Sequence, residues 1–285
     1  MVDILLNSNK YIKVNNKCNS GFHALFYAAS EEKYDILKRL LKAPGIDVNL
    51  PVSGGKTVLM FAAGHDCVDT MNILLSVEEI DVNARSRDQG STALMYASCN
   101  GHHIAVARLL QVPDLLINQI SHSEKTALMY ACIKGYHDTV ACLLRSKGIL
   151  LNIKSDTGKT ALMYAIEGGH LLTVVELLKE LVPGDPSRET VDVNVKNNLG
   201  WTALMLAADR GHTAIAALLL QVPGIDVSEK NNDTKTALDL AIENRHLELV
   251  YLITMYTENK ARKAEVGFFG YVRNLLKWGG STSDS

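Results

Sequence analysis

The apolar and polar positions of this chain repeat as a unit. A short phrase returns seven times: HALFYAA from His23, TVLMFAA from Thr57, TALMYAS from Thr92, TALMYAC from Thr126, TALMYAI from Thr160, TALMLAA from Thr202 and TALDLAI from Thr236. The spacings are 34, 35, 34, 34, 42 and 34 residues. A Leu-Leu pair follows about seventeen residues later, from Leu40-Leu41 to Leu219-Leu220, and most units then close on a D-V-N-like phrase ending at Asn49, Asn83, Asn118, Asn152, Asn194 or Ser228. Self-similarity at such a period is the signature of a stacked array.

With the Thr (or His23) at position 0, positions 1–8 carry Ala, Leu and Met and predict a first short helix. The Thr suits its N-terminal end, where a hydroxyl accepts from an orphan backbone N–H. Glycines near position 9 (Gly101, Gly135, Gly169, Gly211) break it. Positions 11–19 predict a second helix, rich in Leu and Val, followed by a breaker and an extended turn. Helices this short bury no core alone, so neighbouring units must supply it: an all-α solenoid.

These residues resemble the ankyrin repeat: the T-x-L opening, Gly-His between helices, Leu-Leu in the second helix and D-V-N before the next turn. The resemblance spans about residues 10–256. It departs from the family pattern where Ala or Val follows the Thr, where Met stands at position 3, and at Glu32-Lys33 and Asp66-Cys67, which replace Gly-His. The expected organisation is a solenoid over 1–258, with a half repeat at 1–20 and seven units starting near 21, 55, 90, 124, 158, 200 and 234. Eight extra residues around Val182–Thr190 form a loop. Residues 259–285 form a C-terminal amphipathic helix and a short polar tail.

Composition narrows the function classes. Lys+Arg number 29 and Asp+Glu 31, a net charge of -2. That leaves no basic excess for a phosphate backbone, so no specific nucleic-acid partner is expected. Nothing approaches the roughly 18 apolar residues of a membrane span. Five scattered cysteines, with no C-x-x-C, suit free thiols in a reducing, cytoplasmic setting. Gly55-Lys56-Thr57 and Gly158-Lys159-Thr160 look like the end of a phosphate-binding loop, but the loop's other glycine is Leu50 or Ile153. His102, His170, His212 and His246 share position 10, which predicts a repeated hydrogen bond between turns rather than a metal site. No catalytic, cofactor-binding or metal-binding residues are expected, and the chain reads as a non-enzyme and a monomer.

The resemblance implies a groove lined by positions 4 and 7 of the first helices, flanked by 3 and 8. Position 4 reads Tyr27, Phe61, Tyr96, Tyr130, Tyr164, Leu206, Leu240. Met95, Met129 and Met163 stand beside it, and Glu167, Asp209 and Glu243 end the row at position 7. The five aromatics of position 4, the three methionines and the three acids are candidate partner-binding residues, and Trp201, a large aromatic at a turn tip, makes twelve. The lysines at the other tips read as ordinary solvated ends. Two readings of the ladder stand open: aromatic and Met side chains packing between helices, or a groove for an extended or helical peptide with basic residues toward its C-terminal end. The expected function is a protein-interaction scaffold or adaptor. The alternative is a regulatory or targeting module of a longer protein, or a microbial effector acting on host proteins. In the tail, Phe268, Phe269, Val272, Leu275 and Leu276 share a helical face, which either caps the open end of the last unit or, at residues 265–278, meets a membrane.

Overall fold

A computed structural model describes residues 13–179 and 189–260. The first part of the half repeat, most of the insertion around Val182–Thr190 and the helix expected at 265–278 lie outside those residues. The chain divides into two compact units, Met1–Asn198 and Leu199–Ser285.

The first unit holds five helix pairs: α1 (Ala24–Ser30) and α2 (Tyr34–Leu41), α3 (Val58–Gly64) and α4 (Val68–Leu74), α5 (Ala93–Cys99) and α6 (His103–Leu109), α7 (Ala127–Lys134) and α8 (His137–Leu144), α9 (Ala161–Glu167) and α10 (Leu171–Leu178). First helices pack on first helices, α1 on α3 through to α7 on α9, and second helices do likewise from α4 to α10. The second unit holds α11 (Ala203–Arg210), α12 (Thr213–Leu219), α13 (Ala237–Glu243) and a final helix, α14, over 247–260. Among the described residues there is no β-strand, only an isolated bridge from Lys17 to His23. The all-α solenoid reading holds.

Each first helix starts at the residue after its marker because the marker caps it. The Thr92, Thr126 and Thr160 hydroxyls each accept from the Met N–H three residues on, at 3.3, 3.3 and 3.4 Å. His23 does the same with its ring, Nδ1 accepting from the Phe26 N–H at 3.4 Å. Such a cap is worth about 1 kcal/mol. The Leu at position 2 and the small residues at 5 and 6 then pack between repeats with essentially no exposure: Leu128, Ala131 and Cys132 are 0 % exposed.

Asparagines that close repeats of the first unit lock them to the repeat that follows. Asn83 donates from Nδ2 to the Asp114 carbonyl at 2.9 Å and accepts at Oδ1 from the Leu116 N–H at 2.8 Å. Asn49 and Asn118 repeat the pair on Glu79 with Asp81 and on Gly148 with Leu150. Asn15 does it too, on Gly45 and Asp47, so the chain before the first phrase closes like the end of a unit. Three of the four position-10 histidines bridge as expected: Nε2 of His102, His170 and His246 meets the carbonyls of Gly64, Ile133 and Asp209 at 3.1–3.2 Å. Among the described residues His212 Nε2 has no partner.

The Gly-Lys-Thr copies belong to this architecture. Gly55 has φ of 75°, and a Cβ there would sit 2.5 Å from Arg87, on the next repeat's turn. Gly158, at φ of 74°, is packed as tightly against Asn198. Only glycine meets both demands.

Candidate functional site

The first helices of the first unit present position 4 to one side, and the turn tips rise beside it. Tyr27 is exposed and Phe61, Tyr96, Tyr130 and Tyr164 are half-buried. The tyrosine hydroxyls face inward along the turn. Tyr96 donates to Ser86 Oγ at 3.3 Å and Tyr130 to Ser121 Oγ at 3.1 Å. Tyr164 meets Ser155 Oγ at 2.9 Å, and Tyr27 lies 3.6 Å from Cys18 Sγ. Each serine also serves its own turn: Ser121 Oγ accepts from the Lys125 N–H at 3.2 Å. Where the turn offers Val52, position 4 is Phe61. The hydroxyl is thus spent on the repeat itself, and the ring remains for the open side.

Between α3, α5 and α7 the rings border an open pocket of about 290 Å³. Phe61, Tyr96 and Tyr130 supply its aromatic surface, while Gly64 and Cys99, small residues at position 7, leave it space. Lys56, His65, Gln89 and Asn100 supply its polar groups, and no carboxylate lines it. Asn100 Nδ2 donates to the Gly64 carbonyl at 2.7 Å, the carbonyl that His102 also meets, so this wall is tied across two repeats. Further along, Phe22 stacks on Phe26 at 4.6 Å, Phe26 meets Phe61 edge-on at 4.9 Å, and Phe61 stacks on His65 at 4.2 Å. Phe22 and His65 extend the aromatic surface; neither stands out in the sequence, because neither lies in the position 4 row.

Met95, Met129 and Met163 are 2, 1 and 1 % exposed, because each sits on a first helix that lies between two others, and Met95 reaches the wall of the pocket beside Met60. One expectation is corrected: the tip lysines are not ordinary solvated ends. Lys56 Nζ sits 4.9 Å from the Tyr96 ring centroid, and Lys125 and Lys159 sit 5.8 and 5.6 Å from that of Tyr164. Lys159 also pairs with Glu167 at 2.6 Å, and Lys125 with Asp156 at 3.6 Å.

In the second unit Glu243 pairs with Lys235 at 2.7 Å, and Asp209 with Arg210 at 3.4 Å and Asn244 at 3.0 Å. Three of the position-7 acids therefore carry a basic or amide partner. Trp201 is half-buried at its turn, and Leu206 and Leu240 are buried.

Burial pushes the Cys67, Cys132 and Cys142 thiols up, toward the protonated form. The Tyr27 hydroxyl and nearby backbone N–H groups draw the Cys18 thiol down. Among the described residues no group of three His, Cys, Asp or Glu side chains is placed to hold a metal ion. No helix among them is long and apolar enough to cross a membrane.

Family models agree with the geometry. A three-copy ankyrin-repeat model matches residues 49–118, 106–189 and 174–264, and a single ankyrin-repeat model matches 20–51. The chain belongs to the ankyrin-repeat family. Ankyrin repeats are generally protein–protein interaction modules, and this fold is non-enzymatic. Among solved structures, the chain is similar to the ankyrin repeat domain of Bcl-3, described as a unique member of the IkappaB protein family. The TM-score is 0.71 at 23% identity, covering 82% of this chain and 100% of that one. At that identity the likeness speaks for the ankyrin-repeat fold alone. No curated protein matches the chain.

Proposed function

We propose that this ankyrin-repeat chain is a non-catalytic scaffold or adaptor that holds an extended or helical segment of a partner protein against its first helices. The carrying observation is the open pocket of about 290 Å³ bordered by Phe61, Tyr96 and Tyr130. Half-buried rings whose hydroxyls are already bonded offer rigid apolar area with little entropy left to lose, the profile of interface anchors. The partner places an apolar side chain in the pocket. Lys56 at its border, with no carboxylate among the lining residues, favours an acidic or polar group beside that anchor. The C-terminal acids Glu167, Asp209 and Glu243 act more weakly on a basic partner than lone carboxylates do, because each is partnered. Trp201 and the turn tips contribute further contact, and the chain works as a cytoplasmic monomer.

A photo-crosslinking amino acid tests the side used. Placed at Tyr130 in intact cells, it yields adducts with the partner. Placed at Leu172, 60 % exposed on α10, it does not. Adducts from Leu172 with none from Tyr130 overturn the reading.

A further inference from the structure

The rings of the first unit form a ladder with a regular step. Phe61, Tyr96, Tyr130 and Tyr164 come one to a repeat, from helices α3, α5, α7 and α9 that pack in series. Packed helices lie about 8–10 Å apart, closer where small residues meet. Small residues meet here: Ala62, Ala97, Ala131 and Ala165 are fully buried, and a Cβ on Gly64 would stand 3.4 Å from that of Tyr96. The step is therefore about 9 Å. The hydroxyls of Tyr96, Tyr130 and Tyr164, bonded to Ser86, Ser121 and Ser155, hold each ring at its rung.

That step selects the conformation of a chain lying across it. A polyproline II segment returns to the same side every three residues, about 9.3 Å. An extended strand does so every two residues, about 6.6–6.8 Å, which falls short of the step. An α-helix returns after seven, about 10.5 Å, which overshoots it, and its residues three and four on fall between rungs. A strand also needs a sheet edge for its backbone, and the described residues hold no β-strand. A polyproline II backbone stays solvated and asks for rings rather than donors. The ladder offers rings: its tyrosine hydroxyls and the Asn100 amide are already engaged.

We propose that the partner segment is proline-rich and crosses the ladder as a polyproline II helix, with an apolar residue at every third position and an acidic residue beside the one in the pocket. This rests on the partner surface proposed above and narrows it. The apolar residues meet successive rings, and one of them fills the pocket of about 290 Å³ between Phe61, Tyr96 and Tyr130. The acid meets Lys56, on the border of a pocket that no carboxylate lines. A segment already in the polyproline II form loses little entropy on docking to an aromatic groove.

Three fluorescein-labelled peptides titrated against the full chain by anisotropy test this. The first has leucine at every third position, prolines between and one aspartate beside the second leucine. The second has the same residues with the leucines grouped at one end. The third is helical, with leucines seven residues apart. The first is expected to bind about tenfold or more tighter than the others, and Phe61→Ala or Tyr130→Ala, each checked for folding by its melting temperature, to weaken it about tenfold or more. Equal binding of the grouped peptide, tighter binding of the helical one, or binding that survives both substitutions overturns the proposal. So does binding by none of the three. In that case crosslinked adducts from Tyr130 would still support the partner surface, whereas adducts from Leu172 alone would remove both.

Discussion

Repeats four and seven are built from nearly the same phrase, TALMYAC and TALDLAI, yet they treat the open side differently. In repeat four Tyr130 is half-buried and its hydroxyl is held by Ser121, which also accepts from the turn. In repeat seven the same turn position is Asn231. Its amide oxygen accepts two turn N–H groups, from Asp233 at 3.0 Å and Lys235 at 2.9 Å, and position 4 is the buried Leu240. A serine can close the turn and still take a bond from a tyrosine; an asparagine closes it more completely and is matched with a leucine. The turn and the exposed face are therefore one design decision. The repeats with serine turns present aromatic rings, and those with asparagine turns, Asn197 with Leu206 and Asn231 with Leu240, do not.

The comparison breaks first if position 3 is not core. Met129→Ala removes a fully buried side chain and is expected to cost about 2–5 kcal/mol of stability, read by urea or thermal denaturation. A loss close to zero would return the methionines to the open face. A smaller effect sharpens the pairing itself. Tyr130→Phe and Ser121→Ala each remove one hydroxyl and are expected to cost about 0.5–1.5 kcal/mol. In a double-mutant cycle the losses should be clearly non-additive. Independent losses would mean that the hydroxyl bond does not link turn and ring.

The smallest effect concerns the first repeat, which caps its helix with His23 where the other six use Thr. Burial lowers the His23 pKa, against the opposing pull of its bond to the Leu50 carbonyl. The neutral ring is thus favoured in the folded chain, and Nδ1 caps only when unprotonated. Its contribution is complete above the unfolded pKa of about 6.5 and is lost as pH falls through the lower folded value. His23→Thr should match the parent near pH 8 and be the more stable of the two near pH 5, as judged by melting temperature. An identical pH profile for both would remove the histidine from the account.

The repeat, its helices and its caps are legible in the sequence because each is local: Thr reaches three residues forward, and the Gly and Leu-Leu positions recur in one period. The depth at which the methionines are buried is not legible, because a helical wheel grants a helix one buried side. A helix with neighbours on both flanks buries positions 1, 2, 3, 5 and 6 together, as Ala127, Leu128, Met129, Ala131 and Cys132 show. The tip lysines could not be read, since Lys56 finds its ring forty residues away on Tyr96. The D-V-N phrase was visible, but its work was not: Asn49, Asn83 and Asn118 bond to backbone about thirty residues on, which no local pattern encodes.

The claim that the rings of the serine-turn repeats are the partner surface is tested most directly by converting repeat four to the pattern of repeat seven. The double variant Ser121→Asn with Tyr130→Leu is compared with the parent for partner capture by quantitative affinity measurement, with melting followed in parallel. The account predicts that the variant melts within a few degrees of the parent and binds its partner more weakly by about 2 kcal/mol or more, the loss of a hot-spot aromatic. Undiminished binding by a folded variant would contradict it.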